Sequence, residues 1–351
     1  MPYCRYCGAK LEEDAHFCHK CGTPVATFTP AAAPSPKKRS PVIILAFILI
    51  AVMLMAVIVG AIVLVPVHSV NFNQTNQVNQ PNVTTLNLNL QADTAQVNIF
   101  TESLADKTIL IGTSAEGMSG FFGSSNPVQV TFSNETVGDT LTVTSRVTNR
   151  GFFGNAISVT CNIYVDPSVK LNLNVTTETG QISLTANQPA IIESLNLKST
   201  IGLVQANIQN GSVIAGDMSL ESTTGEIAFR MNQAKVEGNS TFNLQTTTGT
   251  VDMNIAENKT LAGNVQVNAA TTTGTINLSM LIKDGVGAKI NSQTQIGQIT
   301  TNLNNFSGNK SALKSNNYPD ESNFLITLKT TLGTINIDAS CQLAFGPRLR
   351  N

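Results

Sequence analysis

Residues 246–251 read Thr-Thr-Thr-Gly-Thr-Val, and residues 271–276 read Thr-Thr-Thr-Gly-Thr-Ile. Related phrases surround Gly180, Gly202, Gly225, Gly297 and Gly333. The glycines fall 22 to 25 residues apart, except across the last interval, which holds an Asn/Ser-rich insertion at 304–323. A fixed period of this size marks a repeat architecture.

Aligned on the glycine, the copies form columns. Seven residues before it stand Leu173, Leu195, Met218, Phe242, Val267, Ile290 and Ile326, all apolar. The next column is Asn in five of seven copies, with Ser219 and Thr327 in the others. Three before the glycine is always a hydroxyl, and two after it is always Ile or Val. Apolar and polar residues alternate on both sides, which is the period of a strand. Each copy therefore reads strand, Gly turn, strand, with the hydroxyl placed to cap backbone groups at the bend. The glycine suits a backbone of positive φ.

Two arrangements satisfy this pattern. In a parallel β-solenoid, copies stack so that like residues meet at about 4.8 Å. In a series of antiparallel hairpins the glycine occupies a two-residue loop. The solenoid explains why the Asn and Thr columns are uniform, so the expected fold class is mainly β, a β-helix-like parallel solenoid. Residues 88–99 follow the repeat with Ala95 in place of glycine and read as a degenerate first copy, of the kind that caps repeat arrays.

The N-terminal end is different. Cys4-x-x-Cys7-Gly8 and Cys18-x-x-Cys21-Gly22 present four thiols with the spacing of a tetrahedral metal site, for which zinc is the default ion. So short a segment cannot bury a core and should fold only with its metal. Four cysteines close the site, which makes it structural and leaves His16 and His19 as exposed residues. The stretch YCRYCGAKLEEDAHFCHKCGTPV (3–25) resembles the short zinc-ribbon modules that open many prokaryotic membrane proteins.

Residues 26–41 form a Pro/Ala-rich linker containing Lys37-Lys38-Arg39, and residues 42–65 are apolar and uncharged. At 1.5 Å per residue such a segment is long enough to cross a bilayer as one transmembrane helix. No Lys or Arg follows until Lys107. The positive-inside rule then places residues 1–41 in the cytoplasm and 66–351 outside, with the chain a single-pass cell-membrane protein. Residues 66–82 are Asn/Gln-rich and read as a disordered spacer. They lead to an N-terminal capping β region (83–165), the repeat array (166–341) and a tail (342–351). Phe121-Phe122-Gly123 and Phe152-Phe153-Gly154 echo each other and are expected to pack over the open end of the array. The Asn-x-Ser/Thr sequons, from Asn73 to Asn309, all follow the apolar segment.

The stretch YVDPSVKLNLNVTTETGQISL (164–184), with the copies after it, is similar to a candidate adhesin family of unknown function, related to the head domains of auto-transporter adhesins. The resemblance spans residues 83–339. It implies a β-repeat domain at the cell surface and brings no catalytic residues with it.

Chemistry is sparse in the repeats. Glu221 and Glu226 are the only close pair of acids on one copy, and they read as solvated surface residues and not as an acid/base pair. The one histidine beyond the apolar segment is His68. No enzyme, catalytic residue or organic cofactor is expected, and a formal charge of −1 gives no reason to expect nucleic acid. Cys161 and Cys341 fall on inward positions about seven rungs apart, roughly 34 Å at the strand spacing, beyond the reach of a disulfide. They are expected as buried free thiols. The role expected from these features is display of the solenoid to bind a surface glycan or protein. The alternatives are an envelope sensor relaying to a cytosolic partner of the ribbon and, less favoured, a glycan-active enzyme.

Overall fold

The structure, a computed structural model, describes residues 2–25, 41–64, 68–119, 127–149, 156–209, 211–257, 261–283 and 285–342. The basic trio Lys37-Lys38-Arg39, both Phe-Phe-Gly motifs and residues 343–351 of the tail lie outside them. The chain divides into two compact units, Met1–Leu64 and Val65–Asn351. The described residues are mainly β, with twenty strands and one helix.

In the first unit, residues 2–25 form two knuckles, each closed by a short β-bridge, Tyr3 to Lys10 and Phe17 to Pro24. The helix α1 (Pro41–Leu64) carries no acidic residue in its first turn and no basic residue in its last. Its side chains are described over 45–58 only. Among the described residues no helix is long and apolar enough to cross a membrane. A helix stands where a single transmembrane span over 42–65 was expected, but the expected span itself is not supported.

Among the described residues the second unit is one sheet system of twenty strands. Its N-terminal part holds β1 (His68–Val78), β2 (Thr85–Thr94), β3 (Gln96–Thr101), β4 (Ile109–Ser119), β5 (Val128–Val137), β6 (Thr140–Asn149) and β7 (Ala156–Val165). The first repeats are split at the glycine: β8 (Lys170–Thr179) with β9 (Ile182–Thr185), and β10 (Ile191–Ile201) with β11 (Val204–Ile208). Then follow β12 (Val213–Ile214), β13 (Met218–Asn232), β14 (Lys235–Val236), β15 (Ser240–Glu257) and β16 (Val265–Lys283). The last part comprises β17 (Val286–Asn304), β18 (Phe306–Asn309), β19 (Ala312–Ser315) and β20 (Ser322–Gln342).

The repeats pair in parallel, like residue beside like. Leu173 lies beside Leu195, which lies beside Met218, and Gly225, Gly249 and Gly274 follow one another. Antiparallel hairpins between successive copies are therefore excluded. The glycine is not a loop in most copies: β13, β15, β16, β17 and β20 run through it as single strands. Pairing skips the residue two before the glycine, Thr247 and Thr272 for instance. There the burial parity changes, from Phe242, Leu244 and Thr246 to Val251, Met253 and Ile255. The strand thus turns a corner, giving each copy two inward rows. These rows merge into one core whose members are almost wholly buried, Phe229, Phe242 and Phe324 being the largest. Each buried Val, Leu or Ile contributes about 1.5–3 kcal/mol relative to an exposed one.

Stacking does not follow chain order at either end. β20 lies between β16 and β17, pairing with both. The insertion at 304–323 is the reason: it forms the β18–β19 hairpin, whose β19 pairs antiparallel with β17 over Lys289–Asn291, and the chain then returns to the open edge of β16. At the other end β2 lies between β6 and β8, and β3 between β7 and β9. The degenerate first copy is therefore internal and not the terminal cap. The cap is made by antiparallel strands, β5 on β6 and β4 on β7.

Residues 68–78 correct the expectation of a disordered spacer. They form β1, paired antiparallel with β4 along its whole length, from His68 beside Ser119 to Val78 beside Ile109. Val70, Phe72 and Val78 share one face, and Val70 and Val78 are buried. Asn/Gln-rich composition masked that alternation.

Candidate functional site

In the ribbon each knuckle bends back on itself. The Gly8 N–H donates to the Cys4 carbonyl and the Gly22 N–H to the Cys18 carbonyl, at 2.9 and 2.8 Å. Both glycines hold positive φ, 68° and 71°. The sulfurs of Cys4, Cys7, Cys18 and Cys21 all lie within 4.8 Å of one another. Cys4 to Cys21 and Cys7 to Cys18 are 3.6 Å apart. A tetrahedral zinc with Zn–S of about 2.3 Å needs sulfurs about 3.8 Å apart, so the four fit the ion. The Thr23 hydroxyl, 3.1 Å from the Cys21 sulfur, together with the Thr23 backbone N–H, brings that thiol down to about 6. Cys4, Leu11 and Cys18 are the buried residues of this small unit. His16 and His19 are not part of the group. All four predicted ligands are thus brought together. Zinc here would supply folding energy, and with four protein ligands it would leave no position for a substrate.

The sheet unit offers two ladder faces. Before the glycine, Asn side chains hydrogen-bond from copy to copy: the Asn196 amide donates to Asn174 at 2.9 Å and Asn268 to Asn243 at 3.0 Å. Ser219 interrupts this ladder between them. The column four before the glycine holds Lys198, Glu221, Gln245 and Lys329 and borders a groove of about 530 Å³. Lys198 Nζ lies 2.9 Å from Glu221 Oε2. This hydrogen bond, with a second from Ser219 Oγ, holds the Glu221 carboxyl below its ordinary value. A carboxylate so held is poorly suited to donate a proton at neutral pH. Glu226 lies exposed on the far side of the bend.

At the bend itself the hydroxyl column acts as the pattern implies. Ser199 Oγ donates to the Gly180 carbonyl and Ser222 Oγ to the Gly202 carbonyl, at 3.1 and 3.0 Å. Thr177 and Thr271 instead close on the carbonyl two residues ahead in their own copy.

After the glycine, two outward columns border a second trough, of about 540 Å³. The inner column runs Ala228, Asp252, Asn277, Asn336, Thr300 in stacking order. Its hydrogen bonds run in one direction. Thr300 Oγ1 donates to Asn336 Oδ1, Asn336 Nδ2 donates to Asn277 Oδ1 at 2.8 Å, and Asn277 Nδ2 donates to an Asp252 oxygen. In the outer column Asn302 Nδ2 donates to Asp338 Oδ1 at 3.2 Å. In the sequence the search for chemistry stops at the acid pair Glu221 and Glu226, which lie outside this trough. The same alignment read three and five residues after the glycine would have shown the Asp/Asn rows.

Cys161 and Cys341 are buried, and neither is in a disulfide. From β7 to β20 the stack passes through β3, β9, β11, β13, β15 and β16, seven strand spacings or about 34 Å.

The zinc-ribbon domain family matches residues 3–25. No curated protein matches the chain. Among solved structures, a candidate cell adhesion protein from Clostridium sporogenes is 13% identical, with 77% of this chain and 100% of that chain covered and a TM-score of 0.35. A candidate adhesin from Bacteroides fragilis is 14% identical, covering 76% of this chain and 97% of that chain, also with a TM-score of 0.35. Residues 3–25 are a zinc-ribbon domain whose four cysteines suit structural zinc.

Proposed function

We propose that the chain is a membrane-anchored surface protein that displays a β-solenoid for binding or adhesion, with its zinc ribbon on the cytoplasmic side. The observation that carries this reading is the in-register stack, which repeats the same outward polar groups copy after copy along two faces. A surface of that kind suits an extended ligand, a surface glycan or a protein, better than a catalytic cleft, and the proposed role is non-catalytic. The anchor rests on the sequence of residues 42–65, uncharged throughout, preceded by Lys37-Lys38-Arg39 and followed by no cation before Lys107. A membrane-impermeant amine reagent applied to intact cells tests it. Lysines of the sheet such as Lys198 should be labelled while Lys10 and Lys20 of the ribbon are spared; the opposite pattern, or recovery of the chain outside the membrane fraction, would reject it.

A second reading, an envelope sensor, draws support from the ribbon. Tyr3, Tyr6 and Phe17 are 63%, 85% and 64% exposed there, three large side chains in a segment of two dozen residues. Exposed aromatics of this kind serve as anchors for a protein partner. Capture of one cytosolic protein by the zinc-loaded full chain, lost on Tyr6→Ala, would favour the sensor.

A further inference from the structure

We propose that the trough after the glycine bend is a binding site for a linear, neutral polysaccharide lying across the strands, one sugar to each rung. This rests on the display reading and names its ligand class.

The walls of the trough carry groups that suit hydroxyls. Asp252 and Asp338 accept, and each Asn amide has two N–H donors and a carbonyl with two lone pairs. Asn277 and Asn336 each spend one N–H along the ladder, which leaves the second N–H of each for a ligand. The ladder also fixes the orientation of the Asn277 and Asn336 amides, so these groups are held in place before anything binds. Ala228 and Ser279, both small, leave room at one end of the inner row and midway along the outer one.

The charges narrow the choice. Asp252 and Asp338 line the trough and form no ion pair with Arg230 among the described residues. With Arg230 the one cation among the lining residues, these two carboxylates leave the trough net negative, which disfavours phosphate, sulfate and uronate polymers. An apolar peptide would leave these acids and amides desolvated without partners, at a cost it could not return. A vicinal diol meets both needs, since each hydroxyl donates and accepts.

Repetition supplies the polymer. The trough crosses β13, β15, β16, β20 and β17, so polar groups recur at the strand spacing of about 4.8 Å. An extended β-1,4-linked chain has a sugar repeat close to that spacing and meets a new set of groups at every rung. A single sugar would use one rung and leave the others idle.

The test uses the full chain in a sugar-free detergent, titrated calorimetrically with β-1,4-linked gluco-oligosaccharides and N-acetylglucosamine oligosaccharides from the disaccharide to the hexasaccharide. In at least one series affinity should rise with each sugar up to the pentasaccharide and then level off. Asn336→Ala and Asp252→Asn should each weaken binding tenfold or more, while Glu135→Ala, on β5, should leave it unchanged. Absence of binding in both series, affinity independent of length, a preference for polygalacturonate, or binding indifferent to both trough variants would overturn the proposal. Because the measurement is made in detergent, a failed membrane anchor would leave its outcome intact. A protein ligand captured in place of any sugar would sink the trough and leave the display reading standing.

Discussion

A Cβ built on Gly274 would stand 1.7 Å from the carbonyl oxygen of Gly249 in the neighbouring copy. The backbone there also holds φ at 148°, which side chains rarely adopt. Two independent penalties therefore fall on one residue, and they recur down the column. Gly274→Ala should destabilise the sheet unit by about 4 kcal/mol or more, at the high end for a point substitution. Gly138 has φ of 63° with nothing within 4 Å of its Cβ. Gly138→Ala should cost only about 1 kcal/mol, for the left-handed backbone alone. Denaturant unfolding of both variants checks this; equal losses would show that stacking proximity is not what keeps the column glycine.

The same column explains how much of the fold could be read from the chain. Parallel stacking makes like residues touch, so register is written locally, as Leu173 beside Leu195 and Gly249 beside Gly274. The order of the copies is not local. Placing β20 between β16 and β17 depends on where residues 305–323 reverse, and no column encodes that. The thiol quartet was legible because ligand spacing is itself a local pattern. The trough rows were present in the alignment but carry no apolar or glycine signal to draw notice.

Removal of zinc should act on one unit only. Cys4 and Cys18 are 6% and 1% exposed, in a segment whose buried residues number too few to hold it folded without metal. With a strong chelator, Cys4, Cys7, Cys18 and Cys21 should all become reactive to a thiol reagent. Cys161 and Cys341, buried in the sheet core, should stay unlabelled until the sheet unfolds. The β signal in far-UV circular dichroism should persist. Loss of that signal on chelation would mean that the sheet depends on the metal site.

The Lys198–Glu221 pair should contribute little, and in a defined pH direction. Lys198, hydrogen-bonded to it, lowers the pKa of Glu221 in the folded chain. A depressed carboxyl stabilises the fold above its unfolded pKa, about 4.3, and that contribution is lost as pH falls through the folded value. Both side chains are more than a third exposed, 54% and 38%, so solvent screens the pair. Glu221→Gln should cost less than about 0.5 kcal/mol at pH 7, and the difference from the parent should close as the carboxyls protonate. A penalty that grows on acidification would contradict the assignment.

The last rung is open on one side, and its dynamics should show it. In the column two after the glycine, Ile276 and Ile335 are fully buried, whereas Ile299 of β17 is only half-buried. Leu303 is likewise half-buried, and the inward position between them is Thr301, where β16 and β20 have Leu278 and Ile337. The β18–β19 hairpin covers β17 only around Lys289–Asn291. Among the described residues no strand covers the outer edge of residues 298–304, and no charge or proline guards it. Alternate amides there lack a ladder partner and should exchange with deuterium at least about tenfold faster than the aligned amides of β16, which has neighbours on both sides. Mass-resolved hydrogen exchange of the full chain makes the comparison directly. Equal protection at the two rungs would mean that this edge is covered after all, by residues outside those described or by a second molecule.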